Sequence, residues 1–232
     1  MSLLAFQRAI VDLTLAPGRV RRLLQGGVSE LDRYDLTERE RQRVLYAIRQ
    51  PGMALNCTIA RGNRFEAVAE LFPMTCTLLK PVLRGLLDEL WEDAPPTSYQ
   101  FAGEEEAFMG MVRRKIESGE VAIEYLDEIF EYESRCAELA QRMRGQDGTD
   151  EGSEAIVEFR HQPDLLLGPL SEHVAPPSGL PAGVYRARLT LRGNEVDVEM
   201  IAATAESVEG PAALRRSCPC RGPYGPRPGR PS

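Results

Sequence analysis

Residues 185–200 read YRARLTLRGNEVDVEM. Tyr185, Ala187, Leu189 and Leu191 alternate with Arg186, Arg188 and Thr190. Beyond Arg192-Gly193-Asn194, the residues Val196, Val198 and Met200 alternate with Asp197 and Glu199. A period of two places the apolar residues of a strand on one face. Two such runs joined by a Gly-containing three-residue turn predict a β-hairpin. Ile156–Phe159 predicts a third strand, and Pro163–Leu170 a short helical crossover before the hairpin. So small a sheet needs cover on one face. One face is therefore expected to pack on helices and the other to stay open to a partner.

Upstream the period changes to three and four, and residues 1–144 read as helix. Phe6, Ala9, Ile10 and Leu13 form one apolar stripe. Pro17 fits the first turn of a second short helix that Gly26-Gly27 ends. Thr37 and Glu40 in Leu36-Thr37-Glu38-Arg39-Glu40 form a capping box, with Val44, Leu45 and Ile48 as the buried face behind it. Pro51-Gly52 breaks that helix. The next is predicted from about Met53 to Leu71, offering Leu55, Ile59, Val68 and Leu71 to the interior. Another runs from about Thr75 to Glu92 and carries Leu78, Leu79, Val82, Leu86, Leu87 and Leu90. Pro81 lacks an amide donor, so it should kink that helix or mark a restart. Phe108, Met111, Val112 and Ile116 mark a further helix, and Ile123 to Arg144 the last long one.

The chain has 232 residues, with 28 basic against 35 acidic side chains and a net charge of −7. No apolar run approaches the roughly 18 to 20 residues of a membrane helix, which predicts no membrane span. The start, MSLLAFQRAIVDL, carries base and acid inside its helical pattern and no small-residue cleavage site, which argues against a secretory signal. Residues 145–153, GQDGTDEGS, contain no apolar side chain and predict a flexible linker. From Pro211 onward the chain has six prolines, three glycines, five arginines and no acid. It reads as a solvated, mobile tail. The first 210 residues then hold 23 basic against 35 acidic side chains, about −12. A body that acidic repels phosphate and argues against nucleic acid as a partner. The expected organisation is a helical domain over 1–144, a linker over 145–154, a small α/β domain over 155–205 and a disordered tail over 206–232. The fold class is α+β.

Chemistry is sparse. His161, after a strand, and His173, in a polar loop, share no metal-ligand spacing with a cysteine or with each other, and read as surface histidines. No glycine-rich phosphate loop and no Gly-x-Ser-x-Gly elbow occur. Glu104-Glu105-Glu106 sits at a helix start, where the dipole accounts for it. Asp127, Glu128, Glu131 and Glu138 read as the solvated face of the last long helix, opposite Leu126, Ile129, Phe130, Ala137 and Ala140. Cys57, Cys76 and Cys136 read as buried thiols of a reducing cytoplasm. Cys218 and Cys220 differ, because they sit in a Pro/Gly-rich tail with no fold around them. Two readings stand side by side: thiols open to modification, or incidental residues of a tail of biased composition.

Several ordered segments carry a resemblance. Leu4-Ala5-Phe6-Gln7-Arg8-Ala9 opens the first helix, and Arg61-Gly62-Asn63-Arg64-Phe65 leads into Leu71-Phe72-Pro73-Met74-Thr75. Tyr125-Leu126-Asp127-Glu128-Ile129 leads into Tyr132-Glu133. Phe159-Arg160 precedes Pro163-Asp164-Leu165-Leu166-Leu167, and a hairpin follows. Over roughly residues 1–203 this order resembles the partner proteins of multinuclear non-haem iron-dependent oxidative enzymes that modify ribosomally made peptides, the group that includes the methanobactin partner protein. The resemblance implies a helical domain with a small α/β domain and no catalytic, cofactor or metal residues of its own. It also implies a complex with the iron-dependent enzyme, to which the chain presents a ribosomal precursor peptide. Tyr34-Asp35-Leu36-Thr37-Glu38-Arg39-Glu40 is also similar to the small helical subunit of extradiol ring-opening dioxygenases, over about 50 residues.

The function expected is thus that of a cytoplasmic, non-catalytic binding module, docking its peptide as a strand added to the hairpin edge. Two alternatives stand beside it. One is a precursor with a globular leader, modified at Cys218 and Cys220; the other is a dioxygenase subunit. Arg61, Arg64 and Phe65 allow either a structural role in fixing two helices or contact with peptide.

Overall fold

The computed structural model describes residues 3–93, 103–145, 153–192, 195–201 and 216–217. Among them the chain is mostly helical with a small antiparallel sheet near its C-terminal end, an α+β fold. The helices are α1 (Leu3–Leu15), α2 (Pro17–Leu24), α3 (Glu38–Ala47), α4 (Pro51–Leu71), α5 (Pro73–Leu79), α6 (Leu83–Asp93), α7 (Glu104–Glu117), α8 (Leu126–Gly145) and α9 (Pro163–Ser171). The strands are β1 (Glu154–His161), β2 (Ala182–Arg192), β3 (Glu195–Ile201) and the two-residue β4 (Arg216–Ser217). No helix among the described residues is long and apolar enough to cross a membrane.

Two compact units emerge: Met1–Ala67 with Val82–Val112, and Val68–Pro81 with Arg113–Ser232. The helical stretch 1–144 is therefore shared between them, because α8 packs against the sheet and α5 packs against α8. The expected linker at 145–154 and tail at 206–232 fall largely outside the described residues.

The first unit is built on the predicted stripes. Ala9 and Leu13 of α1, Leu23 of α2, Leu31, and Val44 and Ile48 of α3 share one buried cluster with Met53 and Cys57 of α4. The α3 start is the expected capping box. Thr37 Oγ1 accepts the Glu40 N–H at 3.4 Å, and Glu40 Oε2 accepts the Thr37 N–H at 2.8 Å. The Thr37 hydroxyl and backbone N–H hold the Glu40 carboxyl below its ordinary range. A depressed carboxyl stabilises above its unfolded value, and that contribution is lost as pH falls through the folded one. Thr37→Ala should destabilise the chain by about 1 kcal/mol at neutral pH. It should also shrink the loss of stability on acidification, as urea titrations at neutral and acid pH would show.

Three apolar residues depart from the sequence reading. Leu55, Ile59 and Val82 were assigned to the interior, but they are exposed at 61%, 52% and 40%. The buried stripe of α4 is instead Met53, Cys57, Ala60, Arg64 and Val68. With these five residues on the inward side, Leu55 and Ile59 lie on the opposite side of the helix. Val82 precedes the restart that Pro81 imposes, after α5 has ended at Leu79.

In the second unit the sheet order is β1-β2-β3-β4, antiparallel throughout. Val157, Phe159, Ala187, Leu189, Leu191, Val196 and Val198 are buried, alternating with polar residues as expected. Tyr132 of α8 meets Phe159 at 5.8 Å between ring centroids, and Phe72 stacks on Phe130 at 6.1 Å. Arg192 pairs with Glu195. The ladder thus runs through Arg192, which the sequence reading had counted in the turn; Gly193-Asn194 lie outside the described residues. Arg216–Ser217 pairs with Val198 and Asp197, a strand where the tail was expected to hold no structure.

Candidate functional site

The first unit carries an uncharged helical face. From Pro51 to Ala60 there is no acidic or basic residue. Met53, Cys57 and Ala60 turn inward, which leaves Ala54, Leu55, Thr58 and Ile59 outward together with Gly62 one turn on. Leu55 and Ile59 are four apart and form one exposed ridge. A Cβ added at Gly52 or Gly62 would meet nothing within 4 Å, so both positions open onto free space. In a body carrying so many acids, ten consecutive uncharged residues are a local opportunity for apolar docking. That missing charge is the signal the sequence held; the periodicity reading passed over it by sending Leu55 and Ile59 inward.

Arg61 and Arg64, in the same segment, are tied into the unit itself. Arg64 is 1% exposed. Its Nε donates to Glu104 Oε1 at 2.7 Å, its Nη1 donates to the Leu15 carbonyl at 3.0 Å, and its guanidinium lies 5.1 Å from the Trp91 ring centroid. Burial raises the Glu104 carboxyl above its ordinary range, with Arg64 acting against the rise. Arg61 pairs with Asp88, and its guanidinium also lies over the Trp91 ring, 5.7 Å from the centroid. Glu104, which the sequence placed at a helix start on account of the dipole, is at that start but buried against this arginine.

The second unit presents the sheet. Its open face is a row of arginines on β2 flanked by acids on both neighbours. Arg186 reaches Glu158 at 2.8 Å, Arg188 lies between Glu154 at 3.6 Å and Glu199 at 3.9 Å, and Arg192 meets Asp197 at 3.3 Å. Beside β1, an open pocket of about 280 Å³ is lined by Arg135, Glu138 and Leu139 of α8 with Glu154, Ala155 and Ile156. Ile156 is 59% exposed there. The far end of β1 is closed. Glu128 accepts the Arg160 and His161 N–H groups at 2.9 and 3.3 Å, and lies 2.6 Å from His161 Nδ1. Glu128 was assigned to a solvated face and His161 to the surface. Glu128 is buried and His161 is half-buried edge-on to Tyr125, because the β1 bulge leaves two backbone donors that a carboxylate from α8 satisfies. Tyr125 itself adopts φ 66°, with its hydroxyl donating to the Pro177 carbonyl and accepting the Leu180 N–H. His173 is exposed, at φ 58°.

Cys57, Cys76 and Cys136 are buried free thiols. Burial, with Glu133 nearby, pushes the Cys76 thiol far above its ordinary value. Cys218 and Cys220 lie outside the described residues. No group of three or more His, Cys, Asp or Glu among the described residues could hold a metal ion. Asp127, Glu131 and Glu138 do face outward or partly so; Glu131 and Glu138 both pair with Arg135, at 2.8 and 3.0 Å. Compared with protein-family models, curated proteins and solved structures, the chain matches none.

Proposed function

We propose that the chain is a non-catalytic, cytoplasmic partner protein that binds an iron-dependent, peptide-modifying oxidase and presents to it a ribosomal precursor peptide. The observation that carries this reading is the sheet edge. The hairpin's outer strand β3 accepts an added antiparallel strand at Asp197 and Val198, which is the mode by which extended peptides join a sheet. Holding a peptide beside a reactive centre turns an encounter into a local rearrangement and lowers a barrier without any catalytic side chain in the holder. The exposed ridge of Leu55 and Ile59 gives the oxidase an apolar surface that repels no acidic partner.

Pull-down of the tagged full chain from its own cells should recover a non-haem iron oxidase together with a small peptide. Leu55→Asp combined with Ile59→Asp should cut recovery of the oxidase at least about tenfold. Both sites are exposed, so stability should change by no more than about 0.5 kcal/mol per substitution. Recovery of no iron oxidase by the unaltered chain would sink the proposal.

A second reading is favoured by the pairing of Arg216–Ser217, which anchors the residue just before Cys218 to the folded body. In this reading the chain is itself the precursor, and Cys218 and Cys220 are its modified positions. Intact mass after coexpression with the modifying enzymes separates the two: a shifted mass over 211–232 makes the chain substrate, an unchanged one leaves it holder.

A further inference from the structure

The geometry points to the outward face of α3 as a docking surface for an acidic segment of a partner protein. Arg39, Gln42, Arg43 and Tyr46 recur at steps of three and four, so they share one side of the helix. All four are exposed, Tyr46 at 68%. Arg49 and Gln50 follow directly and are exposed too. The Arg49 N–H and the Gln50 side chain both donate to the Tyr46 carbonyl, at 3.2 and 3.3 Å. From Arg39 to Arg49 the strip is about 15 Å long. Both acids of α3 are engaged at its start: Glu38 accepts from Gln42 Nε2 at 2.8 Å, and Glu40 is buried in the capping box. Among the described residues, Arg39, Arg43 and Arg49 form no ion pair, whereas Arg41 on the flank of the same helix meets Asp32 at 2.6 Å.

These cations stand apart from the charge of the rest of the chain. Residues 1–67 carry 11 basic and 7 acidic side chains, whereas residues 68–210 carry 12 and 28. Helix stability does not account for the strip. Arg39 and Arg43, four apart, repel each other, and Arg39 lies in the first turn, where the dipole disfavours a cation. Docked carboxylates relieve both costs, since planar guanidinium groups bind them through paired hydrogen bonds. Tyr46 adds an aromatic surface within the strip. At physiological ionic strength the field of an exposed charge fades over about 8 Å, so a docking carboxylate meets these arginines rather than distant acids. Nucleic acid fits less well, because its phosphates far outnumber three arginines and meet a chain of net charge −7. The surface involves neither the sheet edge nor Leu55 and Ile59, and nothing about it depends on the oxidase or its peptide.

The test uses the full chain and, as probe, a dye-labelled polyglutamate peptide with a central phenylalanine, its binding read by fluorescence anisotropy. Arg39→Gln, Arg43→Gln and Arg49→Gln together should weaken binding at least about tenfold. All three sites are exposed, and glutamine matches arginine in helix propensity, so the variant should keep its fold. Arg186→Gln, Arg188→Gln and Arg192→Gln together remove the same charge from the sheet face. They should change binding by less than about twofold, since those arginines already have carboxylate partners. From physiological ionic strength upward, added salt should release the probe. Equal weakening by the two triple variants would overturn the inference, because net charge alone would then account for the binding. So would a probe that ignores the α3 substitutions or fails to bind the unaltered chain. Tighter binding of a labelled oligothymidylate through the same three arginines would make the surface a phosphate site and overturn it as well.

Discussion

Arg64→Ala lowers the unfolding free energy of the chain by about 3–5 kcal/mol, the cost of stripping one partner from a buried ion pair. The side chains of Arg64 and Glu104 are 1% and 4% exposed. Removing the guanidinium leaves the Glu104 carboxyl without its cation, the last carbonyl of α1 without this donor, and the Trp91 ring with Arg61 alone of its two cations. Against a typical domain stability of roughly 5–15 kcal/mol this is a large fraction. Arg64→Met combined with Glu104→Met should restore most of the loss, because two apolar side chains of similar volume carry no stranded charge. Trp91, the single tryptophan, reports urea unfolding of this cluster by fluorescence.

The loss also depends on pH. Burial raises the Glu104 carboxyl, so the folded state holds the proton more tightly than the unfolded chain. Such a group stabilises below its unfolded value, and that contribution is lost as pH rises through the folded value. Arg64 opposes the rise, so its removal pushes the carboxyl higher still. The deficit of Arg64→Ala should be largest at neutral pH and narrow on acidification. A loss below about 1 kcal/mol at pH 7 would mean that the pair is far better solvated than its burial implies.

Glu133→Ala should be nearly as costly, at about 3–4 kcal/mol, if two buried amides lose their acceptor at about 1–3 kcal/mol each. Glu133 is fully buried on α8, and its two oxygens accept the Met74 and Thr75 N–H groups at 2.8 and 2.7 Å. Those donors belong to the first turn of α5, where Phe72 at the cap position offers no side-chain acceptor. A carboxylate 58 residues away in sequence thus does the work of an N-cap. Glu133→Gln keeps only one acceptor oxygen and should cost about half as much. Hydrogen exchange at Met74 and Thr75 should accelerate in the same order. If alanine and glutamine proved equally costly, the charge on Glu133 would matter and the count of acceptors would not.

Local signals carried most of the element order. The Thr37–Glu40 box, the restart at Pro81, and the alternation from Tyr185 to Met200 depend on neighbours within a few residues, and each reappears in the structure. The misread residues are those whose burial is decided by distant partners. Amphipathic reasoning sends every acid to solvent, yet Glu104 and Glu128 are drawn inside by Arg64 and by the β1 backbone. It likewise sends large aliphatic residues inward, although α4 fills its inner positions with Cys57, Ala60 and Arg64. Of the candidate surfaces, the open sheet face and its hairpin edge were legible from period two. The Leu55–Ile59 ridge was not, and neither was β4, since two residues hold no period to read.

The uncharged run from Pro51 to Ala60 also separates two kinetic quantities. Encounter with any acidic protein is slowed by the repulsion of a body near −12, and added salt, by screening that field, speeds arrival. How long a partner then remains on Leu55 and Ile59 is set by apolar contact, which ionic strength scarcely touches. Such a complex gains affinity as salt rises through its association rate alone, while its lifetime stays constant.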